Sequence, residues 1–442
     1  MGPIIDKVAT ADRLPPETKI AVIGAGVIGV STALFLAERG IPVALFEKGD
    51  IAGEQSSRNW GWCRRTGRDS RELPLIVESM RLWEGMNERT GRETGFRTTG
   101  IVYTAEKEEE VERYAQWIKI AREHGIETEL LSGQQAAGFT SGLTRSLKGG
   151  MITPLDGRAE PQNAVPAIAA KAQELGAVIL QNCAMRGIET TNGRVSGVLT
   201  EKGRVACEAI VVAGGAWSRL ILSDFDAHLP QLKVRSSVFR TAPLDAGVDP
   251  AIAFSDFALR KRIDGGYTVA SLGGSIADIV PDSFRFFRDF IPSLSTEWRS
   301  LRFRFGERFF EEAFQWKLKP ADQVSIFEKI RTLDPEPHRT ANAQVLTKLK
   351  QAIPSFASAT IAQEWAGLID TMPDVIPVIS PLPGIDGLIV ATGFSGHGFG
   401  IGPGAGRLVA DMVSGETPVV DPSAFHLSRF SDGSKLRIEN WG

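Results

Sequence analysis

Ile20-Ala21-Val22-Ile23-Gly24-Ala25-Gly26-Val27-Ile28-Gly29 is an apolar strand running straight into a GxGxxG turn. The turn opens a helix expected from about Val30 to Arg39, and the next strand, Val43 to Phe46, ends on Glu47. Gly24 allows the tight turn, Gly26 lets the backbone approach a pyrophosphate, and Gly29 permits close packing of helix on strand. The helix N-terminus faces the phosphates. Glu47, 23 residues beyond Gly24, can accept from a ribose hydroxyl. The whole unit reads as a grip for the adenosine half of a dinucleotide.

Working outward, 442 residues exceed one compact core and imply two domains or three. An apolar share of 43% and a charged share of 23% describe an ordinary globular chain. The formal charge of −3 gives no case for nucleic acid or an anionic membrane as partner. Cys63, Cys183 and Cys207 are scattered with no CxxC, which argues against a disulfide framework or thiolate metal site and fits a reducing cytoplasm. The N-terminus has no apolar core of a signal peptide, and no stretch approaches eighteen uninterrupted apolar residues. A cytoplasmic protein is expected, with peripheral contact at the inner face of the membrane left open.

Along the chain, a charged helix from Lys107 to Glu123 precedes a polar, Gly-rich passage through Gly150. A helix over Glu160 to Leu175, a hairpin turning at Gly193 and the continuously apolar strand Ala209-Ile210-Val211-Val212 follow. From Leu232 to Ser271 the alternation suggests an antiparallel sheet, residues 283–355 read as largely helical, and Leu388 to Thr392 is another buried strand. The expected fold is α/β, a Rossmann-like FAD-binding domain with a second, mostly antiparallel α+β substrate domain. The cofactor domain would comprise residues 1–92, 150–231 and 360–442, and the substrate domain 93–149 and 232–359.

Gln55-Ser56-Ser57-Arg58-Asn59-Trp60-Gly61-Trp62 extends the dinucleotide site. Ser56, Ser57, Arg58 and Asn59 are donors suited to a pyrophosphate and a polyol chain, Gly61 permits backbone approach, and Trp60 or Trp62 can wall a planar ring. The five histidines are scattered, so the dedicated catalytic cluster of a nicotinamide dehydrogenase is missing. No cluster has metal-ligand spacing, and no metal is expected.

Together with the glycine fingerprint, Ser56 to Gly61, Val212-Ala213-Gly214-Gly215-Ala216-Trp217 and Ala391-Thr392-Gly393-Phe394-Ser395-Gly396-His397-Gly398-Phe399 resemble the FAD-dependent D-amino-acid-oxidase superfamily. Ala52 to Trp62, with Gly367-Leu368-Ile369-Asp370-Thr371-Met372-Pro373-Asp374, is most similar to its L-amino-acid deaminase branch. The resemblance implies noncovalent FAD, since no cysteine follows Cys207. It places Met185 at the adenine and Ala213 and Gly214 along the dinucleotide. It also brings Gly396, His397, Gly398 and Phe399 to the isoalloxazine, with a helix beginning near Gly400 aimed at the pyrimidine edge. Val27, Ile28, Lys48, Trp217, Gly367 and Gly393 complete the expected cofactor set.

The implied reaction is hydride transfer from an amino acid's α-carbon to flavin N5, giving an imine that water hydrolyses to a 2-oxo acid and ammonia. Oxygen or a quinone would reoxidise the flavin. A sarcosine-like secondary-amine oxidase or dehydrogenase is the alternative, and a non-catalytic flavin-binding sensor a further one. Many relatives carry a carboxylate-clamping Arg where this chain has Ile369. Arg260 and Arg262, on one face of a strand, are the expected replacements, with Arg64 and Arg65 in reserve. Trp62 and His397 are the other candidate catalytic side chains. Trp60, Trp62, Phe394, Trp298 and Trp316 would suit an apolar or aromatic substrate side chain.

Overall fold

The computed structural model describes residues 2–297, 301–315, 317–439 and 441; Trp298 and Trp316 lie outside the described residues. β1 (Ile20–Ile23) leads through Gly24 into α1 (Val27–Glu38), and β2 (Val43–Phe46) follows. α2 (Pro161–Glu174), β3 (Val178–Leu180), β4 (Ala209–Val212), β5 (Val378–Pro381), β6 (Leu388–Thr392) and α3 (Gly398–Ser414) complete the first layer. Its sheet runs β5-β6-β4-β1-β2-β3, parallel except where β5 pairs with β6. Ile20 stands opposite both Val43 and Ala209.

α1 is buried almost all round because it is packed between α2 and α3, so it carries apolar residues on every side. At Gly24, φ is +103°, and a Cβ there would sit 2.5 Å from the Ala213 carbonyl oxygen. A Cβ on Gly29 would strike the Gly24 carbonyl, which is why the turn closes directly onto its own helix.

The second layer is a ten-stranded, mixed sheet. Leu232–Thr241 is its spine, paired along its length with Ile361–Thr371, so that Val234 faces Ile369. Tyr267–Ser271, Phe257–Lys261 and Ala251–Ala253 extend it on one side. Ala251–Ala253 then joins Ile101–Ala105 in parallel, and Gly149–Thr153 follows. Gly149–Thr153 and Ile361–Thr371 thus belong to this sheet.

Two expectations need correction. The Gly-rich passage before Gly150 contains the strand Glu129–Ser132. Within 283–355, helices cover Phe287–Glu297, Glu307–Ala313 and Arg339–Ala352, but Leu301–Phe305 is a strand beside Ser275–Ile279. Its Leu-Arg-Phe-Arg-Phe alternation has period two, a strand signal inside otherwise helical composition. Among the described residues, no helix is long and apolar enough to cross a membrane.

Candidate active site

The glycine turns after β1, β4 and β6 lie at the carboxyl ends of parallel strands, the edge where open α/β sheets take ligands. A cleft there, about 110 Å³, is lined by Gly24, Gly26, Glu47, Met185, Ala213 and Gly214, with Lys48, Gln55, Ser56 and Trp217 along its walls. Ser56 Oγ accepts from the Val27 N–H at 2.8 Å, tying the segment after β2 to the start of α1. Glu47 accepts from the N–H groups of Ala25 (2.7 Å) and Gly49 (2.8 Å). Burial pushes its carboxyl above the ordinary value, against the pull of those N–H groups.

Several expected cofactor donors are spent on the protein itself. Lys48 Nζ donates to Glu54 (2.6 Å) and to the carbonyls of Ile330 and Arg331. Arg58 is buried, and its guanidinium donates to Gly53 O, Ala366 O and Asp334. Ser57 is buried with its hydroxyl on Glu54 O. Asn59 donates to Gln55 O and Ser56 O and accepts from Gly61 N–H, closing the short helix Gln55–Arg58. Gly61 packs on Ala159 and Arg260. Val27, Ile28 and Gly29 are buried in α1, Gly393 donates its N–H to Asp370, and Gly398 packs on Phe394. Lys48, Arg58 and Asn59 still border the cavities, but with these side-chain donors turned to the protein. The short-spaced polar run is a folded knot whose side chains cap its own backbone.

A second cavity, about 280 Å³, opens beyond it. Gln55, Asn59, Trp60, Trp62, Arg64 and Arg68 line one side, and Gly367, Ile369, Gly396, His397 and Phe399 the other. Trp60 and Trp62 meet edge to face at 5.7 Å. α3 starts at Gly398, so its N-terminus abuts this cavity through His397 and Gly396. Two further cavities share its walls. One, about 510 Å³, is polar and shares Trp60, Arg64, Leu272 and His397. The other, about 520 Å³, is apolar, shares Leu272, Ser275, Ile369 and Ser395, and carries Phe284, Phe287, Phe290 and Phe303.

The arginines sort differently from expectation. Arg260 is 1% exposed and grips Glu160 with both terminal nitrogens (2.6 and 3.0 Å) while Nε donates to Trp60 O. Burial pushes the Glu160 carboxyl up, but the charges and hydrogen bonds of Arg260 and the charge of Arg262 hold it below its ordinary range. Arg262 lies 3.5 Å from the same carboxylate and donates to Asp264. The face opposite Leu259 is therefore occupied by Glu160, and neither arginine borders the cavities described above. Arg65 is held by Asp156 (3.0 Å) and Leu155 O. Arg64 alone of the four borders both the 280 and the 510 Å³ cavities, with its guanidinium 5.6 Å over the Tyr103 ring and one N–H on Thr66 O.

Sequence reading missed Glu160, Asp156, Asp370, Arg68 and Glu72. Asp156 accepts from the N–H groups of Arg65 and Thr66 and from the Thr66 hydroxyl, fixing the loop that carries Arg64 and Arg68. Asp370 accepts from Gly393 N–H at 2.8 Å and pins the turn before His397; burial raises its carboxyl to about 6. Its place in the run Gly367 to Asp374 was the one available signal. Isolated charged residues on loops and at element ends carry no periodicity, so the others had none.

A sequence profile described as FAD dependent oxidoreductase matches residues 19–412. The structure of an L-amino acid deaminase from Proteus myxofaciens, in complex with anthranilate, superposes with a TM-score of 0.93 at 32% identity, covering 97% of each chain. That of an L-amino acid deaminase from Proteus vulgaris gives 0.91 at 30%, covering 96% of this chain and 99% of the other. In sequence, a 4-methylaminobutanoate oxidase (formaldehyde-forming) from Paenarthrobacter nicotinovorans is 24% identical over 95% of this chain, which spans 46% of that protein's length. A glycine oxidase from Pseudomonas aeruginosa is 25% identical over 92% of this chain and 98% of its own.

Proposed function

The chain belongs to the FAD-dependent oxidoreductase family that matches it, and on that premise we propose that it deaminates a free α-amino acid oxidatively, giving a 2-oxo acid and ammonia. FAD is the cofactor, and oxidation of an amino-acid carbon–nitrogen bond is the reaction class. The residues present fit that group. The cleft at the strand ends brings backbone close to a ligand, and Gln55 Oε1 is buried there without a hydrogen-bond partner. Gly24, Gly26, Glu47, Met185, Ala213 and Gly214 would hold the dinucleotide, and Trp62, Gly367, Gly396, His397 and Phe399 its ring. When bound, FAD supplies the two-electron acceptor for the carbon–hydrogen bond next to nitrogen.

The protein's own part is orientation. Arg64 would take the substrate carboxylate as a charge-assisted pair, replacing the cation that Ile369 does not provide. The apolar cavity beside Ile369 supports an apolar or aromatic side chain on the substrate. Trp60 and Trp62 would exclude water from the reacting carbon, and the α3 N-terminus would favour negative charge on the ring edge it faces. Similarity along the full chain to two L-amino acid deaminases at 30% identity or above, against 24% for the 4-methylaminobutanoate oxidase, supports a free α-amino acid over an N-methyl amine.

Anaerobic titration of the flavin-loaded protein with both enantiomers of the common amino acids tests it. Bleaching, with equal ammonia and 2-oxo acid on reoxidation, is the expected result. Formaldehyde from an N-methyl substrate, with no ammonia from primary amines, would overturn it in favour of the secondary-amine reading. A loaded flavin that no amine bleaches would leave only a sensor role.

A further inference from the structure

Five buried polar atoms of three side chains, none with a hydrogen-bond partner, converge between the 280 and 510 Å³ cavities. They are both carboxyl oxygens of Glu72, the Nε and Nη1 of Arg68, and Nδ1 of His397. A native fold seldom leaves so many such atoms unpaired in one place unless they have work to do. Glu72 is 1% exposed, at the end of the 3-10 turn Ser70–Glu72, and its Oε2 stands 3.8 Å from His397 Nδ1. The His397 ring is 24% exposed and borders both cavities, so one edge faces the carboxylate and the ring reaches the open space.

We propose that Glu72 is the proton-holding residue of this site, acting through His397 to relieve the bound substrate of its ammonium proton. The inference rests on the amino-acid reading above, because an amino acid arrives as an ammonium whose nitrogen lone pair is unavailable. With Glu72 ionised, His397 turns its Nδ1–H to the carboxylate and leaves Nε2 free. Nε2 takes a proton from the substrate nitrogen, the Nδ1 proton passes to Glu72, and the products are a neutral amine and a neutral carboxylic acid. Two protons each shift by one partner, the net transfer is one proton from ammonium to carboxylate, and no charge is created in the buried pocket. The 3.8 Å gap is of the kind that tightens when a ligand binds.

The electrostatics agree. Burial pushes the Glu72 carboxyl up to about 7, opposed by Arg68, Arg64 and Arg71 and assisted by Asp69. Burial, with the charges of Arg68 and Arg64, holds His397 well below its ordinary value, so the ring stays neutral and a proton taken from the substrate comes to rest on the acid. Across the polar cavity the remaining charged groups are Asp374, Glu439, Glu110 and Arg113.

The test is the pH dependence of the rate constant for flavin reduction at saturating amino acid, in the wild type, E72Q and H397N, each with its flavin content measured. The wild type is expected to level off above about pH 7. Both variants are expected to keep rising toward the amine's own ionisation and to fall behind by about 10²- to 10⁴-fold at neutral pH. Infrared spectra of resting, substrate-free holoenzyme should show a protonated-carboxyl band that titrates near 7 and is missing from E72Q. A wild-type profile in E72Q overturns the proposal, and H397N decides in the same way if E72Q does not load flavin. A wild type that no amino acid bleaches overturns the amine reading itself, a different outcome from bleaching with an unchanged profile.

Discussion

At the scale of single residues, two arginines that the sequence offered as carboxylate anchors, Arg260 first and Arg64 in reserve, are expected to fail in opposite ways when changed. R64M should raise the substrate KM by about a hundredfold, the loss of a charge-assisted pair worth about 2–5 kcal/mol, with flavin content unchanged. A KM within threefold of wild type would remove Arg64 as the anchor. R260M should leave the buried Glu160 carboxylate with only the longer Arg262 contact and the Ile263 N–H, costing about 3 kcal/mol of stability and lowering Tm while sparing the KM of the molecules that stay folded. The sign with pH follows from Glu160, whose folded pKa lies below its ordinary value. Its contribution is complete above the unfolded carboxylate's pKa and is lost as pH falls through the depressed folded one. Thermal melts of wild type across the acid range should therefore drop more steeply than those of R260M.

At the scale of elements, the start of α1 couples cofactor and fold. Ser56 Oγ lies 3.1 Å from where a Cβ on Gly26 would be, and it also accepts the Val27 N–H. G26V is expected to abolish flavin retention by filling the phosphate approach and crowding that hydroxyl, while far-ultraviolet circular dichroism stays native. A yellow G26V protein with full flavin would show that the dinucleotide lies elsewhere. The elements here were legible because their signals are local. Apolar runs, glycines at fixed offsets and an acid closing β2 identify β1, α1 and β2 without any partner in view. The strand Leu301–Phe305 escaped because its period-two pattern is short and lies among helix-forming neighbours.

For the whole molecule, the cleft collects residues from the first fifty-odd positions, the middle of the chain and the Phe327–Arg331 segment, while the 280 Å³ cavity adds the start of the C-terminal α3. A ligand bridging such distant segments stabilises the folded state by about 2.7 kcal/mol at a hundred times its Kd. Stripping FAD should lower Tm by a few degrees and FAD added back should restore it, whereas identical apo and holo melts would deny that the cofactor spans these segments. The sequence alone determined the nucleotide-binding layer, its family and its cofactor, because a glycine turn and a buried parallel strand are dictated by neighbours within a few residues. Only the tertiary structure decided which charges are free. Along the chain Arg260 ranked ahead of Arg64, but Glu160, a hundred residues away from Arg260, neutralises it. Glu72 and His397, more than three hundred residues apart, meet only because α3 packs against the helix that follows Glu72. A side chain's charge is written in its sequence, but its availability depends on what folding sets against it.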